Sequence, residues 1–209
     1  MHGTLPQKVG RLISNLVFHP QYISRCVSHN LLYRKTPLEL EIPWFSYAAI
    51  DFLEDFLRPD MTVCEYGSGG STLFFARRVR SVFSIEDNPT WFGLVSERLR
   101  SNSIQNVQLV LHPFDFKNPE GFEDSSYLQA MPDALFDVIV IDGSEEWTQV
   151  RPICFEKAEL RVRPGGIIVL DDSWRYPVLR AHNRSHDHRV FQSVGPCRPG
   201  VTSTDIFFY

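Results

Sequence analysis

The sequence predicts an α/β protein: a doubly wound, mostly parallel sheet of seven strands, with helices on both faces and an antiparallel C-terminal hairpin. Three observations carry this. From about Met61 onward strand and helix patterns alternate, which builds parallel sheets through right-handed crossovers. Phe136 to Ile141 (F-D-V-I-V-I) and Gly166 to Leu170 (G-I-I-V-L) are nearly unbroken β-branched and aliphatic runs, as expected of strands covered on both faces. Arg189 to Val194 and Thr204 to Tyr209 read as two strands with no helix between them, which suits a closing hairpin.

The elements follow in order. Leu12, Ile13, Leu16 and Val17 recur at helical spacing, so a short amphipathic helix is expected between Lys8 and Phe18. Ser14, Asn15 and His19-Pro20 interrupt any reading of that stretch as a signal peptide. Its apolar side could cover the main domain, pack on a second subunit or rest on a membrane surface. Residues 1–42 thus form a helical N-terminal arm, available for homo-oligomer contacts, ahead of a domain spanning 43–209. A helix from Pro43 places Ile50, Leu53 and Leu57 on one face and ends at Pro59. Met61 to Tyr66 is the first strand, Ser71 to Val79 a helix and Ser81 to Glu86 the second strand. Asn88-Pro89 is an N-cap residue followed by proline at the first helical position. Trp91, Phe92, Val95 and Leu99 form that helix's apolar side. Val107 to Leu111 is the third strand, and a helix over Arg151 to Leu160 ends before Arg163-Pro164-Gly165-Gly166.

Composition narrows the function. The 209 residues suffice for one substantial core, and 43% hydrophobic with 22% charged residues is ordinary globular composition. A net charge of -4 gives no footprint for a general nucleic-acid surface, so no nucleic-acid partner is expected. No apolar run is long enough to span a bilayer. Cys26, Cys64, Cys154 and Cys197 are far apart and suggest neither zinc nor a disulfide framework; a reducing, cytoplasmic compartment fits them.

Every residue of chemical interest falls at the carboxyl end of a predicted strand, where doubly wound sheets bind ligands. Glu65 precedes the turn Gly67-Ser68-Gly69-Gly70-Ser71, which lets a ligand approach bare backbone. Glu86 and Asp87 close the second strand roughly 20 residues on, where a carboxylate can take both ribose hydroxyls as donors. The alternative use of those two acids is to favour the start of the following helix. Asp115, Asp142 and the pair Asp171-Asp172 complete the set. Thr72 stands where a dinucleotide fingerprint needs its third glycine, and Glu65 sits badly beside a pyrophosphate but well beside an ammonium or sulfonium.

The run E-Y-G-S-G-G-S resembles the first motif of class I S-adenosylmethionine-dependent methyltransferases. The similarity continues through Ser84 to Asn88, Val138 to Gly143 and Arg163 to Asp172, covering about residues 43 to 209. The resemblance implies a Rossmann-like methyltransferase fold, with Glu65, Gly67 and Gly69 holding the methionine part of the cofactor and Ser68, Gly70 and Ser71 completing the loop. It implies Glu86, beside Asp87, at the ribose, Asp115 at the adenine amino group and Asp142 beneath the cofactor, facing a small-molecule acceptor. Asp115 also reads as a solvated loop acid.

Methyl transfer is an in-line displacement for which the protein fixes distance and angle, and a hydroxyl or amine acceptor can need a base. Asp142 and Asp172 are the candidate catalytic residues, with Glu145 and Glu146 expected as first-turn acids of the next helix. Asp142, Asp171 and Asp172 also resemble the metal ligands of catechol-type O-methyltransferases, which would place Mg²⁺ there. The second site departs from that family's Asp-Asn, and no lysine follows Asp142 closely. His182, His186 and His188 with Arg175, Arg180, Arg184 and Arg189 form a basic loop: a solvated surface, or the contact for an anionic acceptor. Trp44, Tyr47, Trp147 and Trp174 read as pocket walls or as core. Two other functions compete, a catalytically silent cofactor-binding protein and an NAD-dependent oxidoreductase.

Overall fold

A computed structural model describes residues 4–32, 35–198 and 200–209. The strands are β1 (Thr62–Tyr66), β2 (Ser81–Glu86), β3 (Val107–Leu111), β4 (Phe136–Ile141), β5 (Val162–Leu170), β6 (Asp187–Val194) and β7 (Val201–Phe208). They form one seven-stranded sheet in the order β3-β2-β1-β4-β5-β7-β6. β1 to β5 pair in parallel, and β7 inserts antiparallel between β5 and β6. The α-helices are α1 (Leu5–Phe18), α2 (Ile23–Val27), α3 (Pro37–Leu40), α4 (Tyr47–Phe56), α5 (Gly70–Ala76), α6 (Pro89–Ser101), α7 (Ser126–Gln129), α8 (Val150–Ala158) and α9 (Pro177–Ala181).

The period-2 alternation of strand side chains divides the core in two. Cys64, Tyr66, Ile139, Ile141, Ile168, Leu170 and Phe207 point to one face, where they pack with Tyr127 and with Cys154 and Phe155 of α8. Val63, Val138, Val140, Ile167, Val169 and Ile206 point to the other, against Ile50 and Leu53 of α4 and Phe74 and Phe75 of α5. Both faces being covered explains why β4 and β5 read as continuous apolar runs. Each fully buried Leu, Ile or Phe contributes about 1.5–3 kcal/mol of transfer free energy.

Several boundaries move for identifiable reasons. α4 begins at Tyr47, not Pro43, because Ser46 caps it: Ser46 Oγ accepts from Ala49 N at 3.3 Å while its own N–H reaches Thr204 Oγ1 at 3.2 Å. β5 starts early, since Val162 pairs with Phe136 before the chain shifts register at Arg163–Gly166 and resumes at Ile167. α6 starts as expected, Asn88 Oδ1 accepting from Thr90 and Trp91 N–H. The amphipathic helix of the arm is α1. Leu12 and Leu16 pack on the sheet, and Asn15 Oδ1 accepts from Val194 N at 3.1 Å on β6. Val9, Ile13, Val17 and Phe18 on its outer side are exposed. Residues 1–3, part of the expected arm, lie outside the described residues. Among the described residues no helix is long and apolar enough to cross a membrane.

Candidate functional site

The carboxyl ends of β1, β2, β4 and β5 open into two adjoining cavities of about 700 and 740 Å³. Ser68, Trp91 and Asp142 line both. The first continues to Arg151, Asp171, Asp172, Trp174 and Arg198, and the second to Glu86, Asp87, Asp115, Phe116 and Gly143.

The glycine turn is forced by its neighbours. Gly67 has φ +93°, and a Cβ there would stand 2.7 Å from the Asp142 carbonyl oxygen, so only glycine lets the β1 and β4 ends approach. Gly70 lies directly against the Pro37 and Ile42 carbonyls, with no room for a side chain. Gly69 and Ser71 face the first cavity, and the Gly69 N–H donates to Thr72 Oγ1 at 2.9 Å. Trp91, expected only as an apolar helix residue, donates its indole N–H to the Ser68 carbonyl at 2.6 Å and so pins the turn from outside.

Glu65 is 1% exposed and lines neither cavity. Strand alternation puts it on the Val63 side of the sheet, under α5. There Ser71 Oγ, Thr72 Oγ1 and Ser84 Oγ all donate to its carboxylate. Burial pushes its pKa up to about 7 against the pull of those three hydroxyls. Glu65 therefore holds the loop's shape from behind, and Thr72 bridges Gly69 to Glu65.

Glu86, 4% exposed, accepts from Ser68 Oγ at 2.5 Å and from the N–H groups of Asp87 and Asn88 at 3.2 and 3.0 Å. Burial raises its pKa; burial and then Glu86 push Asp87 up to about 6. Asp115 also lines the second cavity, yet its carboxylate closes its own turn, accepting from Asn118 Nδ2 at 2.7 Å and Lys117 N at 3.1 Å. Those bonds, Asn118's first, hold its pKa below the usual range.

The acids after β4 and β5 are organised by two arginines that the sequence patterns did not single out. Arg151 of α8, 3% exposed, donates to the Gly143 carbonyl at 2.9 Å, the Asp171 carbonyl at 2.7 Å and Asp142 Oδ1 at 3.0 Å, tying the two strand ends together. Asp142 remains a quarter exposed to the cleft; burial raises its pKa to about 6 against Arg151. Arg198 pairs with Asp172 Oδ1 at 3.1 Å. Asp172 also accepts from Thr202 Oγ1 at 2.7 Å and Trp174 Nε1 at 3.2 Å. Although burial would raise it, Arg198 and these donors keep Asp172 well below the usual carboxylate range. Asp171 is 1% exposed and accepts from Thr204 Oγ1 at 2.6 Å; burial, Asp142 and Asp172 drive its pKa well up.

This donor set does not fit Mg²⁺. Asp142 and Asp172 are neutralised by guanidiniums, Asp171 is turned into the protein, and no three acids, histidines or cysteines among the described residues gather as a metal site. The Mg²⁺ expectation on Asp142, Asp171 and Asp172 is therefore corrected. So is the placement of Glu145 and Glu146, which precede α8 in a loop where Glu145 bridges Arg151 and Arg175 at 3.4 and 3.0 Å. Of the basic segment only Arg175 lines the first cavity. Arg180 pairs with buried Asp205, Arg184 with Glu159 and Arg189 with Asp187. His188 stacks on Phe207, and His186 N–H meets the Phe208 carbonyl at the opposite end of β7 from the cleft. Trp44 and Trp174 line the cleft, whereas Tyr47 is fully buried and Trp147 packs on Phe122.

Residues 64–173 match the family described as "Methyltransferase domain". No curated protein sequence matches the chain. Among solved structures it resembles the O-methyltransferase TomG from Streptomyces achromogenes in complex with SAM, at 16% identity and TM-score 0.59, covering 96% of this chain and 97% of that one. An O-methyltransferase from Bacillus cereus in complex with SAH follows at 17% identity and TM-score 0.57, over 90% and 97% of the two chains. An rRNA methylase from Streptococcus thermophilus matches at 18% and 0.56, over 83% and 97%. At such identities the likeness speaks to the fold.

Proposed function

Because this chain belongs to the class I S-adenosylmethionine-dependent methyltransferases, we propose that its double cleft methylates an oxygen or nitrogen of a small-molecule acceptor. The observation that carries this is the position of Asp142, which lines both cavities at their junction. A methyl group passing between two ligands has to cross such a boundary.

The residues of the second cavity fit a nucleoside. Glu86 and Asp87 offer carboxylate acceptors to ribose hydroxyls, and Asp115 and Phe116 stand further along the same wall. The backbone of Gly67, Ser68, Gly69, Gly70 and Ser71, bare at its three glycines and with its two serine hydroxyls turned to Glu86 and Glu65, suits the amino-acid tail, with Glu65 keeping that backbone in place. S-adenosylmethionine, when bound, supplies a methyl group on an electron-poor sulfonium. The protein's part is to align the acceptor and take its proton. Asp142 is suited to the proton, since it is deprotonated above about pH 6 and held in place by Arg151. Asp172 has little basicity left and instead fixes Arg198 and Trp174 in the acceptor wall. The four cysteines are free thiols, which supports a cytoplasmic setting.

The test is ligand binding followed by turnover. S-adenosylhomocysteine should raise the melting temperature where NAD does not, because a ligand that binds only the folded form stabilises it. Glu86→Gln, which keeps the shape but removes the charge, should weaken S-adenosylhomocysteine by about 10- to 100-fold. An unchanged Kd removes Glu86 from the site. Radiolabelled methyl release to a panel of phenols and amines then tests transfer itself.

A further inference from the structure

Building on the methyltransferase reading above, we propose that the acceptor is an aromatic anion, a ring bearing a carboxylate or phosphate group, recognised by cations that the N-terminal helix delivers to the cleft. Lys8 and Arg11 stand three residues apart on α1, hence on one helix face, and both line the first cavity. The rest of that wall comes from Thr36 and Pro37 at the start of α3 and from the sheet domain and its loops, so the two side chains that α1 contributes to the cleft are both cationic.

The charge balance of the wall gives this placement its meaning. Each ionised acid lining the cavity is already met by a guanidinium of the domain: Asp142 by Arg151, Glu145 by Arg175 and Arg151, and Asp172 by Arg198. Asp171 is buried, accepts from Thr204 Oγ1 and has the Arg198 guanidinium 3.9 Å from its carboxylate. Lys8 forms no ion pair with any described residue. The wall is thus positive on balance while the whole chain carries a net charge of -4, so the excess belongs to the cavity and not to a generally basic surface.

Aromatic recognition rests on two tryptophans. Trp44 and Trp174 line the same cavity, with Arg198 packed 4.8 Å from the Trp44 ring centre and Arg175 4.7 Å from that of Trp174. Each indole is therefore oriented by a cation that is itself fixed by an acid. Trp44 is still 48% exposed, a large face left available for stacking. A cavity of about 700 Å³ accommodates a ring system with its substituents.

The proposal is tested with isosteric pairs: 4-hydroxybenzoate against 4-hydroxybenzamide, and indole-3-acetate against indole-3-acetamide. Each is titrated into the full-length protein saturated with S-adenosylhomocysteine, following tryptophan fluorescence. At least one acid should bind about tenfold tighter than its amide, consistent with a charge-assisted contact. The double variant Lys8→Gln/Arg11→Gln should abolish that preference while leaving the S-adenosylhomocysteine Kd unchanged. Lys8→Glu/Arg11→Glu should reverse it. Equal binding within both pairs, no binding by either acid, or a preference that survives both double variants overturns the proposal. So does displacement of the acids by a short single-stranded RNA at low salt, which would assign the basic wall to a nucleic acid. If S-adenosylhomocysteine itself fails to bind, the methyltransferase reading has failed instead.

Discussion

Asp142 is the residue on which the pH dependence of the reaction should rest. Its pKa of about 6 is raised by burial, so the basic form needed to take a proton is lost as pH falls through that value. The expected kcat/KM profile therefore has an acidic limb near pH 6. Asp142→Asn should lower kcat/KM by about 10²-fold or more and remove the limb, as read from initial rates between pH 5 and 8. Glu65 makes the complementary prediction for stability. Its folded pKa of about 7 lies above its unfolded value near 4.5, so the folded state binds the extra proton and the stabilisation is present at low pH. It is lost as pH rises through 7, with an amplitude on the order of 3 kcal/mol. Urea unfolding of Glu65→Gln at pH 5 and pH 8 should show the variant gaining on the wild type at the higher pH; a pH-independent difference would mean that Glu65 titrates normally. Asp142 was singled out in the sequence because strand ends mark where doubly wound sheets bind ligands, whereas Glu65, singled out on the same ground, lines neither cavity. Arg151 and Arg198 were not legible there, because each acquires its role only when tertiary closure sets it against acids on another element.

Elements read most clearly where the chain itself supplies the signal. β2, β3 and β4 fall on the expected residues because β-branched and aliphatic runs bounded by turns have no other stable use here. The short helices α2, α3, α7 and α9, of four or five residues each, carry too little periodicity to be read and are held by tertiary neighbours. α3 shows how such a piece matters to the site. Its Thr36–Glu39 capping box fixes the turn whose Pro37 carbonyl, with that of Ile42, closes on Gly70 at the start of α5. Gly70→Ala would force a methyl group into those two carbonyls, so the N-terminal segment and the glycine turn would have to separate. A loss of about 1–3 kcal/mol in urea unfolding is expected, together with weaker S-adenosylhomocysteine binding. Unchanged stability would show that the α3 turn yields freely and does not position the loop.

Across the whole molecule, the last strand in sequence is an interior strand in space. β7 separates β5 from β6, so the sheet edge cannot form before residues 201–209 are in place. Its alternate residues serve both halves of the core, Phe207 with α8 on one face and Ile206 with α4 on the other. Beside them Asp205, fully buried, accepts from Ser173 Oγ at 2.6 Å and pairs with Arg180, which binds β7 to the segment leaving β5. α1 depends on the same arrangement, since it lies on β6 and β7 and brings Lys8 and Arg11 to the cleft only when that edge exists. Ending the chain after Gly200 should therefore abolish cooperative unfolding, not merely lower the midpoint, because removing an interior strand exposes both apolar layers at once. Removing residues 1–19 instead takes away an outer helix and should leave a cooperative, S-adenosylhomocysteine-responsive transition at a lower midpoint. Far-UV circular dichroism through a urea titration separates the two cases. A cooperative transition in the chain ending at Gly200 would mean that β1 to β5 with their helices form a self-sufficient unit and that β7 is an accessory strand.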